Sequence, residues 1–411
     1  MDLIVRGGRI EGREGLWDIG VAAGGIVAVE EKISDRAPVE LDAASNLVAP
    51  SFVDLHTHLD KALTVSRSEA PGQARSLAAM IEELRELKRR FTAGDVRRRA
   101  MTVIGMTAVR GTGTVRSCVE ADPFVELRAV EGMVAARQAA SSLCDLQLAA
   151  TPQEGWFATP GTLEAGSGPF IEQAMTRGMD AVGGNVNATL WPSSPEAQVD
   201  EIFALARRFD ADIDLHLDNA DVPDAFTLPY VIEQTLRQGW EGRVVVAHIP
   251  SLAVVGEPEA AAAIDGLVRA RITVAVQPTR IRLTRVRQLV EAGVNVVCGT
   301  DNQRDPFVRY GNADMLAAML LLAQLVGMWS DDELSAVWAM GTVNGARALR
   351  REREYGLASG CRADLVVFDE PGLVEAILHQ ARRRFVVKAG RVVATDDRLL
   401  APATSSAETH S

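Results

Sequence analysis

The chain has 411 residues, 47% of them hydrophobic and 24% charged, with a formal net charge of −12 at pH 7. That length exceeds one ordinary core but suits a large barrel with a smaller appended unit. The acidic balance, with no basic stripe, argues against nucleic acid as a partner, and no apolar run reaches the ~20 residues that span a bilayer.

The opening MDLIVRGGRI lacks a basic region followed by a long apolar stretch, so no secretory leader is expected and a cytoplasmic location is. Cys118, Cys144, Cys298 and Cys361 have no paired short spacing. This argues against a disulfide framework or a cysteine-based zinc site, and for buried thiols.

Residues 1–47 read as short strands broken by turns, in DLIVRGG, IGVAAGG and IVAVEE, with glycines as punctuation. Over residues 48–352, apolar runs alternate with amphipathic stretches. Strand candidates in chain order are NLVAPSFVDLHTH, GTVRSCVEA, LCDLQLAATPQEG, DAVGGNVNA, DADIDLHLDN, GRVVVAHIPS, ARITVAVQP and GVNVVCGTDN. Helix candidates include RSLAAMIEELRELKRRF, PEAQVDEIFALARRF and RVRQLVEAG. Buried strands separated by helices predict an α/β fold, a (β/α)8 TIM-like barrel; the rival open sheet would carry a glycine-rich nucleotide turn, which is missing. The β texture returns in residues 353–400 as ADLVVFDE and RRFVVKAGRVVAT, so both ends are expected to form one small β-sandwich domain. Residues 401–411 read as a disordered tail,.

Of the six histidines, His56, His58, His216 and His248 each end a strand candidate, where a parallel barrel builds its active site,. His379 and His410 fall in a late helical stretch and in the tail. One strand-end histidine is more often a packed residue than a ligand, but chance would have scattered four over both ends of the barrel. Residues two apart on a strand share a face, so His56 and His58 can grip one ion, with His216 and Asp301 as available partners. A divalent ion so held lowers the pKa of bound water toward neutrality.

The runs HTHLDK, TPQEG, DLHLDN, VVVAHIPS, CGTDNQRDPF and TVNGARAL…YGLASGCRADLVVF carry a resemblance over nearly the whole chain. It resembles the amidohydrolase superfamily, in the cytosine deaminase-like branch that also contains N-isopropylammelide isopropylaminohydrolase. The resemblance implies a metal set of His56, His58, His216 and Asp301, with Asp301 also shuttling a proton. It implies that His248 helps activate the water or polarise the scissile bond, that Gln153 orients a heterocycle, and that Lys61 matches the lysine of the isopropylammelide enzyme. One metal, zinc or ferrous iron, is expected, because DAVGGNVNATL offers Asn185 and Asn187 where two-metal members carry a lysine or an acid.

Two positions depart from the deaminase pattern. Asn219 stands where that branch has a proton-relaying glutamate, and Asn302 where it often has a second aspartate. An amide orients a substrate but cannot titrate. Asp301 alone, Asp218 or Lys61 could serve instead, although Asp218 reads better as a group that orients His216. Phe307 either stacks on a planar ring or packs. Trp156 and Trp191 follow strand ends and are expected to pack in the core.

The expected function is hydrolysis of a C–N bond in a small nitrogen heterocycle of cytosine, isocytosine or triazine type by metal-bound hydroxide. The alternatives are an amide or lactam hydrolase that releases no ammonia, and a non-catalytic ligand-binding barrel. The partner is a small-molecule substrate, and a homo-oligomer is compatible with the resemblance.

Overall fold

The computed structural model describes residues 1–67, 76–158, 166–188, 190, 193–220, 225–278 and 282–400. The expected tail, His410 and Trp191 lie outside the described residues.

Four strands open the chain: β1 (Leu3–Gly8), β2 (Trp17–Ala22), β3 (Gly25–Glu30) and β4 (Val39–Asp42) form a sheet of order β3-β2-β1-β4. Next comes β5 (Val48–Pro50). NLVAPSFVDLHTH, expected as one strand, divides here, because β5 pairs antiparallel with a C-terminal strand over Leu365 to Val367. Pro50 has no N–H to continue a ladder. After it, Ser51 N donates to Asp364 O at 3.0 Å and Phe52 N donates to Gly111 O at 2.9 Å. The chain thus passes from the small sheet into the barrel within two residues.

The barrel strands are β6 (Phe52–Thr57), β7 (Thr112–Val119), β8 (Asp145–Ala150), β9 (Ala181–Val186), β10 (Asp212–Leu217), β11 (Val244–His248), β12 (Thr273–Val276) and β13 (Val296–Cys298). Each pairs in parallel with the next, in unbroken chain order from β6 to β13. A parallel bridge between Thr57 and Asp301 closes the ring. The outer helices are α1 (Leu77–Lys88) and α2 (Ala93–Val109), then α3 (Arg128–Ala140), α4 (Gly168–Met175), α5 (Pro195–Phe209), α6 (Leu228–Gln238), α7 (Glu257–Ala270) and α8 (Val286–Glu291). After β13 follow α9 (Met315–Val326), α10 (Asp331–Met340) and α11 (Val343–Ala348). Strands buried on both faces read as continuous apolar runs, which is why β11, VVVAH, is buried throughout,.

The chain ends in β14 (Leu365–Phe368), α12 (Leu373–Leu378), β15 (Arg383–Lys388), β16 (Arg391–Thr395) and β17 (Arg398–Leu399), in a sheet of order β17-β16-β15-β14-β5. Leu3, Val5, Ile19 and Val21 of the first sheet share an apolar cluster with Val48, Leu365, Val367 and Val387 of the second. The two ends of the chain therefore build one sandwich beside an α/β TIM-like barrel. Among the described residues no helix is long and apolar enough to cross a membrane.

Candidate active site

The barrel closes at residues expected to hold a metal. His56 is the fifth residue of β6 and His58 follows the strand end by one. Asp301, three residues past β13, donates its N–H to His56 O at 2.9 Å, and its carbonyl accepts from Thr57 Oγ1 at 2.8 Å and from His58 N at 3.3 Å. Gly299 makes this approach possible, since a Cβ there would lie 2.6 Å from His56 O. Asp301 has φ 57°, His248 φ 69° and Ile249 φ 36°, all left-handed. Such backbone costs of order 1–3 kcal/mol at a non-glycine residue and concentrates at functional sites.

Four imidazoles converge at this mouth. Ring centroids of His56 lie 5.3 Å from His58, 4.8 Å from His216 and 5.2 Å from His248. His216 Nε2 is 3.3 Å from His58 Nε2, while Asp301 Oδ1 is 3.4 Å from His58 Nε2 and 3.7 Å from His56 Nε2. Tetrahedral donors about 2.1 Å from a zinc-like ion lie about 3.4 Å apart, so these separations fit a divalent cation. Two donor groups, His56 with His58, Cys118 and His216, and His56 with His248 and Asp301, each have ligand atoms within 4.8 Å of one another.

The electrostatics suit a ligand role. Burial holds the His216 imidazolium well below the usual histidine range, and the neighbouring His56, His58 and Lys61 add to that. His216 is thus the neutral base that a metal requires. Beneath His56, burial pushes the Asp54 carboxyl up to about 7, against hydrogen bonds from Thr300 and from His56 N. Two residues before His216, Asp214 lies 3.5 Å from Arg116 Nη1, and burial raises its carboxyl too.

Lys61 anchors a buried ionic network that the sequence reading did not detect beyond Lys61 itself. Its Nζ donates to Glu120 Oε1 at 3.0 Å. The other oxygen, Glu120 Oε2, accepts from Gln153 N at 2.8 Å and from Lys88 Nζ at 3.4 Å. Lys88 also donates to Asp122 and to Glu154 Oε1, at 2.5 and 3.0 Å. Burial alone would lower the Lys61 ammonium, but Glu120, Asp60 and Asp305 hold it above the ordinary lysine value. Glu120 itself falls to about 2, because Lys88 and Lys61 outweigh its burial. One available signal was position: Glu120 directly follows β7, at the barrel end where the histidines were found.

The substrate candidates occupy the loops above. Asn185 Nδ2 donates to Gln153 O at 3.0 Å and Asn187 Nδ2 to Asn219 O at 2.8 Å, so the two asparagines ending β9 fix the backbones of two neighbouring loops. Asn302 Nδ2 donates to Asp305 Oδ2 at 2.7 Å. The Lys61 ammonium lies 4.8 Å from the Phe307 ring centroid, and the same ring packs beside Leu77 and Ile81 of α1. Trp156 is buried in the main core, as expected.

The expected role of Asp218 rested on strand alternation, and that alternation ends at Leu217. Asp218 has φ 50° and accepts from Thr227 N, Thr227 Oγ1 and Ser251 Oγ, which joins the loops after β10 and β11. His379 caps α12 at the surface, where it meets Glu370 at 3.0 Å. Cavities of 530 Å³ beside Trp156 and Arg208 and of 460 Å³ beside Arg271 and Arg350 are not lined by any of the four converging histidines.

A parallel barrel with histidines and an aspartate converging at the C-terminal ends of its strands defines a metal-dependent hydrolase. The amidohydrolase family model matches residues 91–394, and the chain belongs to that family. It is 31% identical to the N-isopropylammelide isopropyl amidohydrolase of Pseudomonas sp. (strain ADP), covering 97% of this chain and 99% of the relative. It is 27% identical to a pterin deaminase of Rhizobium rhizogenes, over 91% of this chain and 88% of that one. Among solved structures, the 5-methylcytosine deaminase from Klebsiella pneumoniae superposes with a TM-score of 0.87 at 27% identity, over 97% of this chain and 98% of that one. The N-isopropylammelide isopropylaminohydrolase from Burkholderia multivorans gives 0.88 at 26% identity, over 97% of this chain and all of that one. Membership of this family makes the chain a hydrolase of carbon–nitrogen bonds other than peptide bonds.

Proposed function

We propose that the protein hydrolyses a C–N bond of a small planar nitrogen heterocycle of cytosine, isocytosine or triazine type. The observation that carries this reading is the convergence of His56, His58, His216, His248 and Asp301, all at most 7% exposed, at one barrel mouth. In it, His56, His58, His216 and Asp301 hold one divalent ion, zinc or ferrous iron, which when bound supplies a Lewis acid able to activate water at neutral pH. The side chains do the rest. Asp301 accepts the proton of the attacking water and delivers it to the departing nitrogen, while His248 helps activate that water or polarise the scissile bond. Lys61 presents a fixed positive charge, and Gln153, Asn219 and Asn302 present amide donors and acceptors to the ring, with Phe307 beside it.

The amides at Asn219 and Asn302 favour a substrate edge that carries oxygen or negative charge over an amidine. They also keep a second reading open, in which an amide or lactam is cleaved without release of ammonia. The reading further includes a cytoplasmic protein that works on small molecules without nucleic acid. It also includes a homo-oligomer formed through the outer helices, to which the exposed Leu321 and Leu325 of α9 and Trp329 give support.

Product mass from metal-loaded protein decides the chemistry, on a panel of N-isopropylammelide, cytosine, isocytosine, pterin, a cyclic amide and an open-chain amide. Exchange of an amino or alkylamino group for oxygen is the expected result; uptake of one whole water by a ring would transfer the assignment to the second reading. Asp301→Ala lowers kcat by roughly a hundredfold or more, and undiminished turnover in the metal-replete variant would sink the proposal.

A further inference from the structure

Four cysteines are buried, but their surroundings differ. Cys144 and Cys298 belong to the main apolar cluster and Cys361 to the sandwich cluster; Cys118 belongs to none of the described apolar clusters. It lies on β7, two residues beyond the fully buried Arg116 and so on the same inward face, one layer nearer the barrel mouth,. Its Sγ and one ring nitrogen each from His56, His58 and His216 all lie within 4.8 Å of one another. Four donors so arranged lie within about 2.9 Å of a common point, and zinc draws nitrogen to about 2.0–2.1 Å and sulfur to about 2.3 Å. Contraction by less than about 1 Å per donor would close that set. Asp301 belongs to the other donor group, with His56 and His248.

We propose that Cys118 supplies an additional sulfur donor to the ion that His56, His58, His216 and Asp301 hold, making the site selective for thiophilic divalent cations. On ligation the Sγ–H bond breaks, its proton leaves to solvent, and the sulfur electron pair forms the bond to the metal. Soft thiolate in an imidazole set favours zinc, cobalt or cadmium and gives nothing to magnesium or manganese. The inference rests on the metal reading above, so its test reads metal stoichiometry separately from sulfur coordination.

The probe is Co²⁺ alone, added to metal-free full-length protein and followed by absorption and by bound cobalt. One equivalent of cobalt with an intense near-ultraviolet sulfur-to-cobalt charge-transfer band is expected. Cys118→Ser should abolish that band while still binding cobalt, and should weaken Cd²⁺ binding roughly tenfold with little change for Mn²⁺. One equivalent of cobalt without the band in the wild type overturns the role of Cys118 and leaves the histidine and aspartate set standing. No cobalt bound overturns both. A band that persists in Cys118→Ser also overturns it. Cys118→Ala repeats the comparison should the serine variant fail to fold, and the wild-type spectrum still decides if neither folds.

Discussion

Glu120 shows how one side chain can serve several others. Its two oxygens hold Lys61 Nζ and Gln153 N, and the second is also shared with Lys88, all within 3.4 Å. A carboxylate in this place keeps two lysines charged in a buried setting where either alone would tend to lose its proton. Glu120→Gln retains the shape and removes the charge. We expect it to cost about 3 kcal/mol of stability, since breaking a buried ion pair leaves an uncompensated charge. KM should rise more than kcat falls, because Lys61 and the Gln153 loop both shift. Urea unfolding and steady-state kinetics on whichever compound of the panel is turned over check this, and an unchanged KM would confine Glu120 to folding. Asn219 and Asn302 belong to the same scale. Both were visible in the sequence, but the engagement of Asn302 with Asp305 at 2.7 Å was not, because it depends on how the loop after β13 folds back.

Elements were read best where one physical rule governs them alone. PEAQVDEIFALARRF spans Pro195–Phe209 of α5 without a shift, because Ser194 accepts from Ala197 N at the cap and a proline opens the first turn,. Strand ends were legible for the same kind of reason, through period-two alternation and the loops that follow. The rule reaches only to Leu217, since Asp218 beyond it has a left-handed φ, and it failed at Pro50, which divides one apolar run between two sheets. Helix α10 permits a test of local electrostatics. Glu333 accepts from Ser330 N at 2.9 Å and Trp329 N at 2.7 Å and pairs with Arg287, and these hold its carboxyl down at about 2. A depressed pKa adds stability that is complete above the unfolded value and is lost as pH falls through the folded one. Glu333→Gln should therefore lower Tm at pH 6, and the gap from wild type should shrink as pH falls from the ordinary glutamate value of 4.5 to about 2. A gap that stays constant at pH 6 and pH 3 would contradict the assignment.

At the scale of the whole molecule, the site lies on the seam that closes the barrel. The proposed ligands come from the first strand, the fifth strand and the loop after the eighth, so a bound ion fastens β6, β10 and the chain beyond β13 together. Ligand binding only to the folded state stabilises it by mass action. Treatment of loaded protein with a strong chelator should lower Tm by about 5 °C or more. Zinc or ferrous iron should restore it, and His216→Ala should show a low Tm that no longer responds to chelator. Calorimetry on these samples suffices, and a chelator-insensitive wild type would argue that no ion is held there.

The amino-acid sequence by itself determined the alternation of apolar strands and amphipathic helices, the β texture of both ends, and the histidines at strand ends. These follow from local periodicity and from where a parallel barrel exposes its loops, so short windows suffice to read them. Only the tertiary structure decided that Cys118 stands among three histidines and that Glu120 joins Lys61 to Lys88 and Gln153. It alone also joined Val48–Pro50 to the C-terminal sheet. Each of these contacts links distant parts of the chain whose meeting is set by closure of the barrel and burial of its interior, and no local pattern of residues encodes such a meeting.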